Sequence, residues 1–425
     1  MDHPSRTLED WLAYIEQQHP KSIDLGLERV REVAARMALG APASQVIVVG
    51  GTNGKGSTVA FIEAIARAAG RRVGAYTSPH LRRYNERVRI DGEEAADAAL
   101  VTAFEAVEAA RGGTALTYFE YGTLSALWLF QRSALDLAVL EVGLGGRLDA
   151  VNLVDADVAV ITTVDIDHVD WLGGDREAIG AEKAGIARAW KPLVLGEVDS
   201  PSSVLRHAYA IGANAIRMGS DFFHDQVDEG HWRWRDAGFQ IELPTPLLRA
   251  PVQRANAATA IAALRALDGE WPDAALVDGV ASATLPGRLQ AFERGGIPVI
   301  VDVGHNPQAA RQIATWLRAE PVPGRTLAVF AALADKDIEG VAAAVQEQVQ
   351  AWFLAGLEGV AGRGQAVDAF AGRLGTLAAG SGSRHVDVAA ALQAALHEAQ
   401  AGDRILVFGS FHTVAEALAE LRSGR

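Results

Sequence analysis

The stretch GTNGKGS at residues 51–57 combines glycines with one lysine, the residue types that bind phosphate. It follows an apolar run and precedes a helical pattern, which is the order of a phosphate-binding loop. Glycines let the backbone approach phosphate oxygens, while Lys55 supplies a mobile charge and Ser57 a hydroxyl. The spacing departs from the Walker A pattern, because Val49 occupies its first glycine position and Gly56 follows the lysine. We predict phosphate binding, with a structural turn as the alternative.

Two other polar positions lie at the ends of predicted strands and suit a metal ion. Glu141 ends a buried run, where ligands bind in open α/β sheets, and its carboxylate could hold Mg²⁺; pairing with Arg147 is the alternative. The loop 162–174 brings three aspartates together with His168, a donor set that suits Mg²⁺ better than Zn²⁺; helix capping is the alternative. Lys183 lies on a predicted helix, where a solvated side chain is the ordinary interpretation.

Short apolar runs alternate with helical patterns along the chain, which indicates a parallel α/β fold. In the first part we predict strands at 45–50, 72–78, 135–146 and 156–164, and helices at 57–70, 99–110 and 121–132. In the last part we predict strands at 297–304, 325–333, 351–356 and 403–411, and helices at 307–320, at 338–350 and at the C-terminus. The aromatic, alternating segment 221–249 indicates β-hairpins. The rhythm restarts after 284–298, so we place two domains at 1–287 and 288–425.

The composition restricts the class of protein. A chain of 425 residues exceeds one ordinary core, and the absence of cysteine excludes disulfides and thiol chemistry. The net charge of −14 argues against nucleic-acid binding, and no apolar stretch predicts a signal peptide or membrane span, so we expect a cytoplasmic protein. One basic group could bind a small anion or form a solvated surface: Arg71, Arg72, Arg82, Arg83, Arg87 and Arg89.

Taken in chain order, GTNGKGS, YTSPHL, LTYFEYGT, EVGLGGRLDA, DHVDWLG, EKAGI, LPGR, DVGHNP and GSFHTV resemble the bacterial dihydrofolate synthase/folylpolyglutamate synthase family, relatives of the Mur peptidoglycan ligases. The resemblance extends from residue 22 to the last predicted helix. It implies an N-terminal P-loop ATPase-like domain and a smaller Rossmann-like C-terminal domain. It also implies a reaction in which ATP phosphorylates a carboxylate of dihydropteroate or tetrahydrofolate and L-glutamate then displaces the phosphate.

The resemblance further implies the residues of the site. The ATP contacts are Gly51, Thr52, Asn53, Gly54, Lys55, Gly56, Ser57, Asn256, Arg288 and Asp302. Of two Mg²⁺ ions, one is assigned to Ser78 and Glu141 and the other to His168 and Lys183, with Lys183 carbamylated by CO₂. The pterin or folate side consists of Asp24, Leu25, Gly26, Leu27, Thr117, Tyr118, Phe119, Glu120, Leu148, Asp149 and Ala150. The catalytic residues are Lys55, His168, Lys183 and His305.

Some assignments keep alternatives. Ser410, His412, Asp335 and Lys336 are placed on the glutamate side, with a purely structural role as the alternative. Tyr118 and Phe119 could equally serve as core packing. The chain departs from the family pattern at Val151, where Thr is usual, and we expect a small local effect.

Three other functions compete with the bifunctional ligase. A folylpolyglutamate synthase without the dihydropteroate activity would share most of these motifs. A muropeptide ligase is less favoured, because only residues 1–50 precede the phosphate loop. An ATP-binding regulatory module would be expected to have lost metal ligands that this chain retains. We expect a monomer whose partners are small molecules.

Overall fold

The computed structural model describes residues 6–19, 21, 23–360 and 362–423. The chain divides into two compact units, Met1–Leu247 with Arg254–Thr284, and Leu248–Gln253 with Leu285–Arg425. The second unit therefore includes a short early segment that no sequence pattern indicates, and the boundary at residue 287 stays a prediction. Within the described ranges, no helix is long and apolar enough to cross a membrane.

The first unit is built on an eight-stranded sheet. Its strands are β1 (Gln45–Gly50), β2 (Val73–Tyr76), β3 (Val88–Ile90), β4 (Glu93–Glu94), β5 (Leu137–Glu141), β6 (Val158–Ile161), β7 (Pro192–Leu195) and β8 (Asn214–Arg217). They lie in the order β4-β3-β2-β5-β1-β6-β7-β8, with β3 and β4 antiparallel at one edge and the others parallel. The central strands are continuous runs of buried apolar residues, as expected for a parallel sheet covered on both faces.

The helices predicted at 57–70, 99–110 and 121–132 and the predicted helix that carries Lys183 are present, and the other helices of this unit were not predicted. In chain order, the helices of this unit are α1 (Leu8–Glu16), α2 (Glu28–Arg36), α3 (Lys55–Ala68), α4 (Asp97–Arg111), α5 (Tyr118–Gln131), α6 (Val169–Leu172), α7 (Arg176–Ala184), α8 (Ser202–Ile211), α9 (Gln253–Arg265) and α10 (Asp273–Ser282), with 3₁₀ turns at Tyr84–Arg87 and Ala150–Leu153. Helix α3 begins two residues before the predicted start, directly after Gly54. Strand β5 is shorter than the predicted run, because the glycines after Glu141 form a turn instead of extending it.

The register of the sheet brings the functional positions to one edge. Val49 of β1 lies opposite Glu141 of β5, and Gly50 lies opposite Ile161 of β6. The carboxyl ends of these three central strands are therefore level. The loops that follow them carry the phosphate-type sequence, the glycine-rich turn after Glu141 and the aspartate-rich loop.

A separate three-stranded sheet confirms the hairpins predicted at 221–249. Its antiparallel strands are β9 (Phe222–Gln226), β10 (His231–Asp236) and β11 (Gln240–Pro244). The alternation of residue types in the sequence corresponds to an alternation of burial, because Trp232 and Trp234 are buried on one face while their neighbours on β10 are more exposed.

The second unit contains a six-stranded sheet. Its strands are β12 (Gln290–Arg294), β13 (Ile297–Asp302), β14 (Thr326–Phe330), β15 (Ala351–Ala355), β16 (Ser383–His385) and β17 (Arg404–Phe408), and its helices are α11 (Pro307–Ala319), α12 (Ile338–Val345), α13 (Val367–Leu374), α14 (Val388–Glu398) and α15 (Phe411–Ser423), with 3₁₀ turns at Gln346–Gln348 and Ala378–Ser381. The strand order is β12-β13-β17-β14-β15-β16, and only β12 runs antiparallel. Phe330 and Phe408 stack in its core with centroids 4.7 Å apart. The predicted α/β class holds for both units.

Candidate active site

The turn between β1 and α3 has no room for side chains at two of its glycines. Gly51 and Gly54 have φ angles of +143° and +88°, a region that favours glycine. A Cβ at Gly51 would lie 1.9 Å from the hydroxyl oxygen of Thr162, and one at Gly54 would lie 2.6 Å from Oδ1 of Asn256. Both positions therefore require glycine, and Asn256, a predicted ATP contact, lies directly beside the loop.

The loop is held in place by the segment that follows β6. The backbone N–H of Thr52 donates to the Thr163 carbonyl at 2.7 Å, and its hydroxyl donates to the Asp165 carbonyl at 3.0 Å. The backbone N–H of Asn53 donates to the Thr163 hydroxyl at 3.1 Å. The loop conformation is thus fixed before any ligand binds, as a preorganised anion site requires.

Lys55 begins helix α3. The first N–H groups of a helix lack partners within the helix and carry its partial positive charge, so they can bind an anion. The Lys55 ammonium folds back and donates to the carbonyl oxygens of Gly51 and Thr52 at 3.0 and 3.2 Å. The lysine is therefore already positioned over the turn whose backbone would face a phosphate.

Glu141 and Ser78 come together at the ends of β5 and β2. Glu141 is buried, and its Oε2 accepts a hydrogen bond from the Ser78 backbone N–H at 3.2 Å. Arg147, the alternative partner, instead forms an ion pair with Glu182 at 2.9 Å. A serine and a buried carboxylate thus lie together at the ends of neighbouring strands, and hydroxyl and carboxylate oxygens are ligands that Mg²⁺ accepts.

Lys183, in the last turn of α7, is only 3% exposed, so the solvated-lysine interpretation is wrong. Burial and the neighbouring charge of Lys55 lower the pKa of its amine to about 7, against the opposing charges of Asp167, Asp149 and Glu197. The amine is therefore neutral in a substantial fraction of molecules near neutral pH, and a neutral amine is the form that reacts with CO₂.

His168 precedes the short helix α6 and has a left-handed backbone, with φ of +53°. Its Nε2 lies 4.0 Å from Oδ1 of Asp167, which also accepts a hydrogen bond from the His168 backbone N–H at 2.8 Å. Among the described residues, no group of three or more His, Asp or Glu is arranged to hold a metal. The assignment of His168 and Lys183 to a second ion stays a prediction.

On the predicted pterin side, Arg29 of α2 joins two separate segments. Its Nε donates to both carboxylate oxygens of Glu120 at 2.9 and 3.0 Å, while Nη1 donates to Asp24 Oδ2 at 2.5 Å. Glu120 also accepts from the N–H and hydroxyl of Thr117, completing a capping box that starts α5. The structure thus brings 24–27 and 117–120 together through an arginine that sequence reasoning missed, because its two partners are distant in sequence from each other.

Tyr118 and Phe119, the aromatic residues at the start of α5, lie in different environments. Phe119 lies against the backbone of Gly143, where a Cβ would approach its ring to 2.6 Å, and its centroid is 6.0 Å from that of Tyr76. Tyr118 lies 5.8 Å from the Tyr84 ring, centroid to centroid. Both rings remain partly exposed, which leaves room for contact with a ligand.

Asp149 follows the turn after β5 and is buried. Burial raises the pKa of its carboxyl group to about 7, against hydrogen bonds from the backbone N–H groups of Leu144 and Val151 and the charge of Lys55. Ala150, next in sequence, is also buried, whereas Leu148 is half-buried. Val151 is fully buried, so the apolar side chain that replaces the family threonine lies in the core.

In the second unit, Asp302 ends β13 as predicted. Its two carboxylate oxygens accept from the backbone N–H groups of Leu289 and Gly304 at 2.9 and 2.7 Å. Burial raises the pKa of Asp302, against the charges of Arg288 and His305 and those hydrogen bonds. Both basic residues approach the Phe411 ring, with the Arg288 guanidinium carbon 5.4 Å and the His305 centroid 6.1 Å from its centroid.

The residues assigned to the glutamate side fall into two groups. The hydroxyl groups of Ser410 and Thr413 lie 2.6 Å apart, and the Ser410 hydroxyl accepts from the backbone N–H of Thr413 in the first turn of α15. Asp335 forms an ion pair with Arg363 at 2.7 Å, and Lys336 is buried. Burial lowers the pKa of His412, and the charge of Arg363 lowers it further. Arg363 therefore contacts or influences two residues of this group, and it is a second residue that sequence reasoning missed.

Comparison with known proteins decides the family. Residues 49–243 match the Mur ligase middle domain, and residues 287–411 match the Mur ligase glutamate ligase domain. The dihydrofolate synthase/folylpolyglutamate synthase of Escherichia coli K12 is 50% identical over 412 residues, covering 97% of this chain and 94% of that protein. The chain belongs to the dihydrofolate synthase/folylpolyglutamate synthase family. The family, the fold class and the enzyme class predicted from the sequence are confirmed.

Solved structures of this family agree with the fold. The E. coli FolC complex with DHPP and ADP has a TM-score of 0.94 at 47% identity and covers 100% of both chains. A bifunctional folylpolyglutamate synthase/dihydrofolate synthase with Mn, AMPPNP and L-glutamate bound has a TM-score of 0.90 at 45% identity and covers 98% of both.

Proposed function

We propose that this chain is an ATP-dependent ligase that joins L-glutamate to dihydropteroate, giving dihydrofolate, and to tetrahydrofolate, lengthening its glutamate chain. The observation that carries this proposal is the 50% identity to the E. coli enzyme of that name across almost the whole chain. The nucleotides, the metal, the DHPP and the L-glutamate bound in related structures support ATP, a divalent metal and small-molecule acceptors as its ligands.

The chemistry needs an activated carboxylate. A carboxylate oxygen of the acceptor takes the γ-phosphoryl group of ATP, and ADP leaves. The amino group of L-glutamate then attacks the acyl carbon, phosphate leaves and the nitrogen loses a proton. Lys55 and the N–H groups at the start of α3 neutralise phosphate charge in the first step, for which Lys55 exchanges the carbonyl oxygens of Gly51 and Thr52 for phosphate oxygens.

Magnesium fits the donors on this unit. Ser78 and Glu141 would hold one ion, since the structure joins their loops through the hydrogen bond between them. His168 and a carbamylated Lys183 would hold a second ion. When bound, Mg²⁺ screens the repulsion between phosphate and carboxylate. We further assign Arg288 and Asp302 to the nucleotide, His305 to the reacting groups, and Ser410, His412, Asp335 and Lys336 to L-glutamate.

Burial of Lys183 and its lowered pKa support the proposed carbamylation. The neutral Nζ attacks the carbon of CO₂ and loses a proton, which converts a buried cation into an oxygen-donating anion. We expect protein depleted of CO₂ to lose activity and to regain it with bicarbonate. Lys183→Ala should lower kcat by about 100-fold or more and should not respond to bicarbonate. Full activity of depleted wild-type protein would contradict carbamylation.

The test of the proposal uses purified full-length protein with ATP, Mg²⁺ and L-glutamate. Either dihydropteroate or tetrahydrofolate is added, and ADP and product mass are followed. We expect one glutamate to be added to each acceptor per ADP formed. Product from tetrahydrofolate alone would select the single-function alternative, and product from neither would refute the ligase.

Both activities need the same acyl phosphate, so both should depend on Lys55. We expect Lys55→Ala to lower kcat for both acceptors by at least about 100-fold, as for loss of a charge that acts on the transition state. Lys191→Ala is the matched control, because Lys191 is half-exposed and pairs with Asp157 at 3.1 Å. Survival of one activity in Lys55→Ala would contradict a shared site. The cytoplasmic location and monomeric state stay predictions.

A further inference from the structure

The arginine group at residues 71–89 is not one basic surface. Three of its members form ion pairs: Arg72 with Asp91 at 3.3 Å, Arg83 with Asp97 at 2.9 Å and Arg89 with Glu63 at 2.7 Å. The Arg71 guanidinium lies 5.8 Å from the Trp271 ring centroid, and Arg82 is exposed. Arg87 differs from the others, since it is buried and its side chain contacts a histidine and two tyrosine rings.

Arg87 is 9% exposed, yet no carboxylate among the described residues pairs with it. Its Nε donates to Nδ1 of His80 at 2.8 Å, and its guanidinium carbon lies 5.4 and 5.5 Å from the ring centroids of Tyr84 and Tyr118. A guanidinium only donates, so Nδ1 of His80 accepts and brings no negative charge. Within the described ranges its two terminal nitrogens, which carry most of its N–H groups, make no hydrogen bond.

The position of Arg87 links two parts of the site. Its backbone carbonyl accepts from the N–H of Thr77 at 2.9 Å, directly before Ser78. Its side chain reaches Tyr118, which is assigned to the acceptor. Burial raises the pKa of Tyr118, and the Arg87 charge opposes that rise, as expected for a cation beside the ring. The Arg87 terminal nitrogens are not among the fully buried polar atoms, so an anion can reach them, and the cation then gains a charged partner.

We propose that Arg87 binds the carboxylate of the acceptor substrate. The proposal rests on the ligase function and adds to it a residue that recognises the acceptor's charge. Dihydropteroate carries one carboxylate and an uncharged pterin, so that carboxylate is the anion it can offer. The planar guanidinium fork matches a carboxylate with two parallel N–H···O bonds, which a lysine cannot reproduce.

If Arg87 binds the acceptor, its substitution should change acceptor binding without a matching change in the stability of the fold. A structural arginine stabilises the fold, and its removal lowers the melting temperature. Arg87 has no carboxylate partner among the described residues, so Arg87→Met, which keeps the length and removes the charge, should leave the melting temperature close to that of the wild type while it weakens acceptor binding. Arg89→Met is the matched control, since it leaves the buried Glu63 unpaired and should lower the melting temperature.

The experiment compares pteroate with its uncharged carboxamide as inhibitors of tetrahydrofolate extension by the full-length protein. We expect the wild type to prefer pteroate by roughly 10- to 100-fold, as for hydrogen bonds to a charged group. In Arg87→Met the ratio should fall close to one, with the KM for ATP unchanged. Arg87→Lys, which keeps the charge, should give an intermediate ratio, and Arg89→Met should keep the wild-type ratio.

The inference is overturned if Arg87→Met, or Arg87→Lys should the Met variant not fold, keeps the wild-type preference for pteroate. A lower melting temperature in Arg87→Met with an unchanged ratio would assign Arg87 to the fold alone. Failure of the ligase function is a separate result, because wild-type protein would then form no product from either acceptor.

Discussion

Asp149 is a buried carboxyl group at the predicted pterin site with a pKa of about 7, so we expect acceptor binding to depend on pH. A pterin presents a ring N–H and an amino group, which need an ionised carboxylate as acceptor. The group is mostly protonated below pH 7 and ionised above it. We therefore expect the KM for dihydropteroate to fall as the pH rises from about 6 to about 8. Steady-state kinetics across this range measure it.

Asp149→Asn supplies the control, since an amide does not titrate. Its KM should be higher and should lose this pH dependence; an unchanged dependence would assign the effect to another group.

The raised pKa of Asp149 also makes the stability of the fold depend on pH. The folded state holds the Asp149 proton more tightly than the unfolded chain, so this contribution is complete below about pH 4 and is lost as the pH rises through about 7.

Single residues differ in how far the sequence reveals them. The strand-end positions of Glu141 and Asp302 could be predicted, because each polar residue ends an apolar run, although the role of Asp302 came from the family resemblance. Arg29 and Arg87 could not, because an arginine on a helix or beside a strand shows no partner in its own neighbourhood. The burial of Lys183 was equally hidden, since its helical pattern suits a solvated side chain.

At the scale of elements, the Arg29 link between the 24–27 segment and the start of α5 should position the acceptor. We expect Arg29→Ala to raise the KM for both acceptors by roughly tenfold and to leave the KM for ATP unchanged. It should also lower the free energy of unfolding by about 2–3 kcal/mol, because the buried Glu120 loses its counter-ion. Kinetics and denaturant unfolding measure the two effects.

Arg111→Ala tests whether loss of any such pair has the same effect. Arg111 pairs with Glu108 at 2.7 Å and donates to Tyr14, so it forms a comparable network away from the acceptor residues. It should lower stability by a similar amount and keep the acceptor KM. Equal KM changes in both variants would show that Arg29 acts through stability alone.

The central elements were predictable and the edges were not. Strands β1, β5 and β6 are unbroken apolar runs, so burial fixes them whatever their neighbours. Strand β16 has only three polar residues and is recognisable only through its pairing with β15. Pairing with a distant strand is a tertiary effect that local pattern does not carry.

At the scale of the whole molecule, each unit has a hydrophobic core of its own. We expect calorimetry to resolve two unfolding transitions. Phe330→Ala should lower the transition of the second unit by about 3–5 kcal/mol, because this fully buried ring stacks on Phe408 and packs near Phe370. The first transition should not move. A single transition that shifts as a whole would contradict separate cores.

The two-unit organisation was within reach of sequence reasoning because chain length and the restart of the strand–helix rhythm both indicate it. The assignment of Leu248–Gln253 to the second unit could not be predicted, since this segment lies within the first part of the chain yet packs with the second unit. Its Ala250 contacts the second core, a contact that spans tens of residues of sequence. Composition and periodicity do not show that a segment packs with residues distant in the sequence.

The crowding at Gly51 and Gly54 restricts how this phosphate loop can change during evolution. Each glycine faces a polar side chain from a remote segment, Thr162 or Asn256, at a separation that excludes even a methyl group. A substitution at either glycine would therefore need a simultaneous change at its neighbour. A Walker A loop transplanted into this chain keeps the glycine at position 54, but any other residue at position 51 would clash with Thr162 unless that threonine is replaced as well. The heritable unit is the loop together with these two contacts.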